Sequence, residues 1–427
     1  MGPAPSNALP SYEEASTLVA AYTAELGRLQ PFSERVELAH AAGRVLAQPL
    51  RADRDQPPFA RSTRDGFACK AKEASKHKFL AVVGSSRAGE PPAGPLPKGA
   101  AWEIMTGAPI PEGADAVVMI EHVETAAQQV RLLPPRTAKP GENVVAQGAQ
   151  ARAGDELLPV GAAIHAAQIA LAATCGYASL DVFLRPRVAI LTTGDELVPV
   201  DASPGPGQIR NSNAPMLAAL VSAAGGDPWV LPTTADNVEA LDAALRQAAQ
   251  ADMLLISGGV SAGKFDLVEP ALARIGARFH FTGVRIQPGK PLVFGDLPAG
   301  SAHISHERSP RKYFFGLPGN PVSSAVTFLL FAAPVLAALA GSVESHPRFA
   351  LARLASSTEK HGKPGLTRFL PASCTFGANG GKPPKVKLVP WQGSGDLAAL
   401  ARSNCFLVVP EQAHGLETGA TVRILLF

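Results

Sequence analysis

Apolar residues recur at helical spacing in the first segment, 11–29, where Ala15, Leu18, Val19, Tyr22 and Leu26 share one face and Gly27 closes the run. The pattern predicts an amphipathic helix. A second short helix is expected over 34–42. From 51 to 160 the rhythm changes: short apolar runs such as FLAVVG, AWEIM, AVVMIEHVE and VRLLP alternate with Pro/Gly-rich breaks, which predicts a small β-rich domain. The stretch AAIHAAQIALAATCG returns to helical spacing and ends at Gly176.

After Pro186, strands alternate with helices. RVAILTTGDEL reads as a buried strand entering a loop, and NAPMLAALVSAAGG as a helix with Asn213 at its N-cap. PWVLPTTADN is a second strand, followed by a helix whose Asp236 and Glu239 have capping-box spacing. ADMLLISGG is a third strand, VRIQPGKPLVFGDL reads as a β-hairpin, and YFFGLPGNPVSSAVTFLLF as a strand, a turn and a long helix. This alternation calls for a doubly wound, mostly parallel α/β sheet. PAGSAHISHERSPRK reads as a polar surface insertion. Beyond 341, RFALARLAS, TRFLPASCTF, PKVKLVPW, NCFLVVPE and ATVRILLF read as strands of a small barrel or sandwich. The fold class is therefore multidomain α/β, with a β-rich domain and a C-terminal β-barrel-like domain.

At 427 residues the chain is too long for one core, and length alone suggests roughly three domains. Its 39 basic and 36 acidic residues are spread along the chain with no arginine-rich arm, which points to a small-molecule substrate and no nucleic acid. The four cysteines form no CxxC pair, so neither a zinc knuckle nor a disulfide framework is indicated. That usage, with no secretory signal visible at the N-terminus, leads to a cytoplasmic expectation. The uncharged run 323–340 is about the minimum length for a spanning helix. It follows a Gly-Asn-Pro turn and contains Pro334, so a buried globular helix is expected and no membrane span.

In a doubly wound sheet the ligand sits beyond the carboxyl ends of the strands. The loops there carry Thr192-Thr193-Gly194-Asp195-Glu196, then Thr233-Thr234-Ala235-Asp236, then Ser257-Gly258-Gly259-Val260-Ser261 with Asp266 beyond, and Gly316-Leu317-Pro318-Gly319-Asn320-Pro321. Bare amides and small hydroxyls favour an oxyanion, whereas carboxylates favour a hard divalent cation. Together they describe a site for a phosphorylated ligand with magnesium. Simpler roles exist: Asp236 could be only an N-cap, and Asp266 has the same spacing to Glu269. A P-loop beginning at Gly258 fails because Phe265 follows Lys264 where a hydroxyl is needed. Ser261 in a G-x-S-x-G nucleophile elbow has no recognisable histidine partner, and His303 with His306 lacks a third metal ligand.

Seven segments resemble one known family. STRDGFA (62–68), IMTGAPIPEGADAVVMIE (104–121), TTGDEL (192–197), GQIRNSN (207–213), SGGVSAGKFD (257–266), QPGKPLVFG (287–295) and GLPGNPVS (316–323) are similar, in order and spacing, to the molybdopterin molybdenumtransferases, the group of MoeA and the E domain of gephyrin. The resemblance implies the last step of molybdenum cofactor synthesis. Adenylylated molybdopterin and molybdate would be substrates, magnesium the cofactor, and AMP a product. It implies a homodimer and four domains: a linker and dimerisation domain from 1–56 with 150–185, a small β-rich domain 57–149, a molybdopterin-binding α/β domain 186–341 and a barrel-like domain 342–427. The molybdopterin-adenylylating enzyme and apo-molybdoenzymes are the candidate protein partners.

Position by position, the resemblance implies functional roles for Asp65, Thr106, Glu196, Asp236, Asp266 and Lys290. Glu196, Asp236 and Asp266 are the magnesium candidates, and Lys290 faces an oxyanion. Thr193, Gly194, Asp195, Asn213, Ser257, Gly258, Gly259, Val260, Ser261, Pro288, Gly289, Pro318, Gly319, Asn320 and Pro321 are the substrate-binding candidates. The chain departs from the family at Ala149 and Gln150, where an acidic pair is common, at Gln287 in place of a lysine, and at Ala235 in place of an arginine. Those departures leave two alternatives: a variant tuned to tungstate, and a non-catalytic molybdopterin-binding scaffold.

Overall fold

Strands 187–192, 253–257 and 311–317 are apolar almost throughout because both of their faces are covered. Along Arg187–Thr192, Val188 and Ile190 point into one core with Leu217 and Val221, while Ala189 and Leu191 point into a second core with Leu241, Leu245 and Leu272. The two-residue period of a strand thus distributes one segment between two helical layers. The computed structural model describes residues 9–29, 32–90, 94–259, 267–298, 311–358, 365–375 and 383–427. The chain divides into two compact units, one of Met1–Ala47, Gly161–His165 and Leu180–Phe427, the other of Gln48–Val160 and Ala166–Ser179.

In the first unit a six-stranded mixed sheet has the order Asp227–Val230, Arg187–Thr192, Met253–Ser257, Arg311–Leu317, Val293–Pro298 and Arg278–Thr282. The first four run parallel, and the last two are antiparallel to their neighbours. Helix Tyr12–Leu26 packs on one face, entered through a capping box in which Ser11 Oγ accepts from Glu14 N–H while Glu14 Oε2 accepts from Ser11 N–H. Its Tyr22 hydroxyl lies 3.0 Å from His280 Nδ1, and His280 Nε2 lies 2.6 Å from Asp296. Asp296 is wholly buried and also accepts from the Arg278 and Arg311 guanidinium groups.

The apolar run after the Gly-Asn-Pro turn is a core element, since most residues of Pro321–Leu339 are buried. It passes from Pro321–Thr327 through a π-helical turn, Phe328–Ala332, into Ala333–Leu339. The wider turn lies just before Pro334, which has no N–H to continue the regular ladder.

Five C-terminal strands close a barrel in the order Thr367–Thr375, Lys385–Leu388, Phe349–Leu354, Thr421–Leu426 and Cys405–Val409, which pairs again with the first. Here the hairpin expected over 284–297 is corrected. Ile286–Gln287 joins the barrel, parallel to Thr367 and Arg368, while Val293–Pro298 lies in the α/β sheet. The helix expected over 34–42 is also absent. Ser33–Glu37 is a strand followed by a single 3-10 turn, Leu38–His40. Val36 and Leu38 are the half-buried positions, a two-residue period that offers no helical stripe.

The second unit holds a six-stranded sheet in the order Ala116–Met119, Gly66–Cys69, Ala100–Ile104, Leu80–Ser86, Gln129–Leu132 and Val123–Ala126. All pairings are antiparallel except that of Leu80–Ser86 with Ala100–Ile104.

Candidate functional site

The three central parallel strands end level with one another, since Thr192 lies opposite Ser257 and Ser257 opposite Leu317. The backbone then knits the loops together: Thr193 N–H donates to Ser257 O at 3.1 Å, Thr234 N–H to Thr192 O at 2.9 Å, and Gly258 N–H to Leu317 O at 3.3 Å. Gly258 has φ +98°, and a Cβ there would stand 2.5 Å from Thr193 O, so only glycine closes this seam.

Two asparagines of GQIRNSN hold the wall. Asn211 is buried, donates to Thr192 Oγ1 at 2.8 Å and Thr233 Oγ1 at 3.0 Å, and accepts from Ala214 N–H. It therefore does the capping expected of Asn213, and the helix begins at Asn213 with Ser212 as N-cap. Asn213 instead spans two strand ends, donating to Ser257 Oγ at 2.9 Å and Gly319 O at 2.6 Å. Its Oδ1 is buried with no hydrogen-bond partner among the described residues.

Asp236 is not the N-cap of the following helix either. Asn237 takes that place, accepting from Ala240 N–H, and frees the Asp236 carboxyl. The Asp236 N–H donates to Asp195 Oδ1 at 3.0 Å. Partial desolvation, reinforced by the charges of Asp195 and Glu196, pushes the Asp236 carboxyl above its usual range. Oxygen donors that repel one another in this way suit a hard cation. Among the described residues no group of three or more His, Cys, Asp or Glu is arranged to hold a metal ion. Asp266, the third magnesium candidate, lies outside the described residues, as do Val260, Ser261, Lys264, His303 and His306.

These loops surround a cleft of about 760 Å³. Thr193, Gly194, Glu196, Asn213, Asp236, Ser257, Gly258, Gly259, Pro318, Gly319, Asn320 and Pro321 all line it. Asp195 stands behind Asp236 and does not. Pro288 and Gly289 are buried away from the lining, with Gly289 packed so closely that a Cβ would meet Thr327 Cγ2 at 2.6 Å. Lys290 is exposed and outside the lining, whereas its neighbour Pro291 belongs to it.

In the second unit, Asp65 receives both the backbone N–H and the hydroxyl of Thr106. These two donors, the hydroxyl first, hold its carboxyl below the usual range. Gly66 beside it has no room for a side chain, since a Cβ would sit 2.0 Å from Val118 O.

Residues 10–176 match the model of the MoeA N-terminal region (domain I and II), residues 189–338 that of a probable molybdopterin binding domain, and residues 352–427 that of the MoeA C-terminal region (domain IV). The molybdopterin molybdenumtransferase of Nostoc sp. is 35% identical, over 99% of this chain and 94% of its own length. The chain belongs to the molybdopterin molybdenumtransferase family. The molybdopterin molybdenumtransferase of Haemophilus influenzae is 32% identical over 92% of this chain and 93% of its own. The molybdopterin biosynthesis MoeA protein of Pyrococcus horikoshii superposes with a TM-score of 0.78 at 27% identity, over 98% of this chain and 100% of that one. Within the family framework the cleft falls in the probable molybdopterin binding domain, except for Gly395 and Leu397, which the C-terminal region supplies. Sequence reasoning missed those two, and also Leu197, Ile209 and Arg210. Leu197, Ile209 and Arg210 lie within TTGDEL and GQIRNSN, but nothing in those motifs separates wall positions from their neighbours; the shared place on the cleft wall comes from the folded chain.

Proposed function

We propose that this protein transfers molybdenum to molybdopterin in the synthesis of molybdenum cofactor, using adenylylated molybdopterin and molybdate as substrates and releasing AMP. The observation that carries the reading is the cleft at the strand ends, whose lining combines the glycine backbone of Gly258 and Gly259 with the Glu196 and Asp236 side chains. Bare backbone lets phosphate oxygens approach, and the acidic corner takes the counter-charge. Desolvation and the neighbouring Asp195 and Glu196 charges raise the Asp236 carboxyl, and clustered oxygen donors of this kind fit magnesium. Glu196 and Asp236, with Asp266, would hold the ion. When bound, it neutralises charge on the pyrophosphate oxygens.

The chain's own groups do the positioning. Asn213 locks the Ser257 hydroxyl and the Gly319 carbonyl, which fixes the two loops that approach the substrate. Asp236, freed from capping by Asn237, keeps its carboxylate for the cation. Asp65, oriented by Thr106, is assigned a functional role on the family resemblance, and Lys290 remains the proposed oxyanion contact. The same reading makes the protein a cytoplasmic homodimer, which sedimentation of the pure protein checks for the dimer.

The experiment is to incubate the pure protein with adenylylated molybdopterin, magnesium, and either molybdate or tungstate, and to measure AMP. Release that requires both magnesium and an oxyanion is expected, and the preferred oxyanion identifies the metal inserted. Tight binding of molybdopterin without AMP release would replace the enzyme reading with the scaffold one.

A further inference from the structure

The acidic corner explains where a cation goes but leaves an electrostatic problem for the substrate itself. Among the described residues lining the cleft, Glu196 and Asp236 carry negative charge and Arg210 is the one basic side chain. A pyrophosphate-bearing substrate therefore meets a fixed positive charge on this wall only at Arg210. We propose that Arg210 is the anion anchor of the cleft, holding phosphoryl oxygens of the substrate and positioning it against the acidic corner. The identity of the substrate rests on the function proposed above; the anion class does not.

Three features of the ribbon support this. Leu197–Val198 and Ile209–Arg210 form a short parallel pair, and Ile209 N–H donates to Glu196 O at 2.8 Å while Asn211 N–H donates to Val198 O at 2.9 Å. Arg210 is thereby held in register with Val198, two residues beyond Glu196, and its next neighbour is the buried wedge Asn211. Second, the side chain is itself oriented, since Nε donates to Ala202 O at 3.0 Å. That bond leaves both terminal nitrogens of the planar fork with their N–H donors, a geometry matched to two oxygens of one phosphoryl group. Third, Arg210 makes no ion pair among the described residues, so an incoming anion has no internal carboxylate to displace. Ile209, 56% exposed, and Leu197 give the same wall an apolar surface for the organic part of such a ligand.

The test uses the full-length protein and its Arg210→Ala and Arg210→Lys variants. Inorganic pyrophosphate binding is followed by calorimetry in magnesium-free buffer, and KM and kcat for adenylylated molybdopterin by AMP release. Arg210→Ala is expected to weaken pyrophosphate about tenfold and to raise KM by a similar factor, with the loss carried by KM rather than kcat. Arg210→Lys should recover part of the affinity, because charge returns without the fork. Thermal melting should not move, since the head group is exposed. Wild-type protein that does not bind pyrophosphate, or an Arg210→Ala variant that binds it within twofold of wild type, overturns the proposal. If the variant loses pyrophosphate while wild type releases no AMP, the insertion reading fails and the anchor stands.

Discussion

Thr106 places two donors on a single oxygen of Asp65, its backbone N–H at 2.6 Å and its hydroxyl at 2.7 Å from Oδ1. The depressed carboxyl that results favours the folded state above the ordinary value of 3.8, and this contribution is lost as pH falls through the lower, folded value. Thr106→Val keeps the shape and removes the hydroxyl. The Asp65 titration midpoint, followed by carboxyl NMR, is expected to rise toward 3.8 in that variant and to stay low in Thr106→Ser. A midpoint unmoved by the Val substitution would show that the hydroxyl contributes nothing.

The bridge made by Asn213 separates two roles that the sequence confounds. Asn213→Ala removes the donor to Ser257 Oγ and Gly319 O and is expected to cost about 1–2 kcal/mol in urea unfolding. Asp is a good N-cap but has no N–H to give, so Asn213→Asp should be at least as destabilised as the Ala variant. Recovery of stability by Asp would return the residue to a capping role.

Asp236 and Asn237 are adjacent, and their variants should fail in opposite assays. Asn237→Ala loses the cap to Ala240 N–H, at roughly 1 kcal/mol, with magnesium-dependent AMP release retained. Asp236→Asn relieves repulsion with Asp195 and Glu196, so its melting temperature should hold or rise while AMP release is lost. A stable Asp236→Asn protein with full turnover would remove Asp236 from the site.

His280 links helix Tyr12–Leu26 to the buried Asp296, with its side chain only 7% exposed. Burial holds its imidazole below the ordinary 6.5 despite the nearby Asp296 charge, with the Arg278 and Arg311 cations adding to the effect. The neutral ring donates from Nε2 to Asp296 and accepts at Nδ1 from the Tyr22 hydroxyl, an arrangement that a second ring proton would break. Because the folded value is the lower one, stability is full at neutral pH and falls as the pH drops below about 6.5. Urea midpoints between pH 7.5 and 5 should show this decline, and His280→Asn should flatten it.

The sheet, the barrel strands and most of the cleft were legible in the sequence because they depend on local pattern. RVAIL, MLLIS and YFFGL announce two-sided burial through their unbroken apolar character, and the small residues that follow each strand mark the rim. What was misread turned on competition between near-equivalent neighbours. RNSN offers two asparagines to one helix start, and Asn211, two residues earlier than expected, takes the capping bond. DN offers an aspartate and an asparagine in succession, and the second one caps. The segment 284–297 has the alternation and turn of a hairpin, but its two strands find better partners in different sheets. Arg210 lies inside GQIRNSN, but that it is the one cation among the described residues of the wall is a property of the wall and not of the motif.

That divided segment has a mechanical consequence. Ile286–Gln287 is stitched into the barrel and Val293–Pro298 into the α/β sheet, which leaves 288–292 as a short strap between the two sheets. Pro291, within the strap, forms part of the cleft wall. A second tether runs from the opposite direction: Ser394, between barrel strands, accepts from Val322 N–H at 3.0 Å and from Asn320 at 2.9 Å. The barrel is therefore fastened to the rim of the cleft twice, by the covalent strap that carries Pro291 and by the two hydrogen bonds at Ser394.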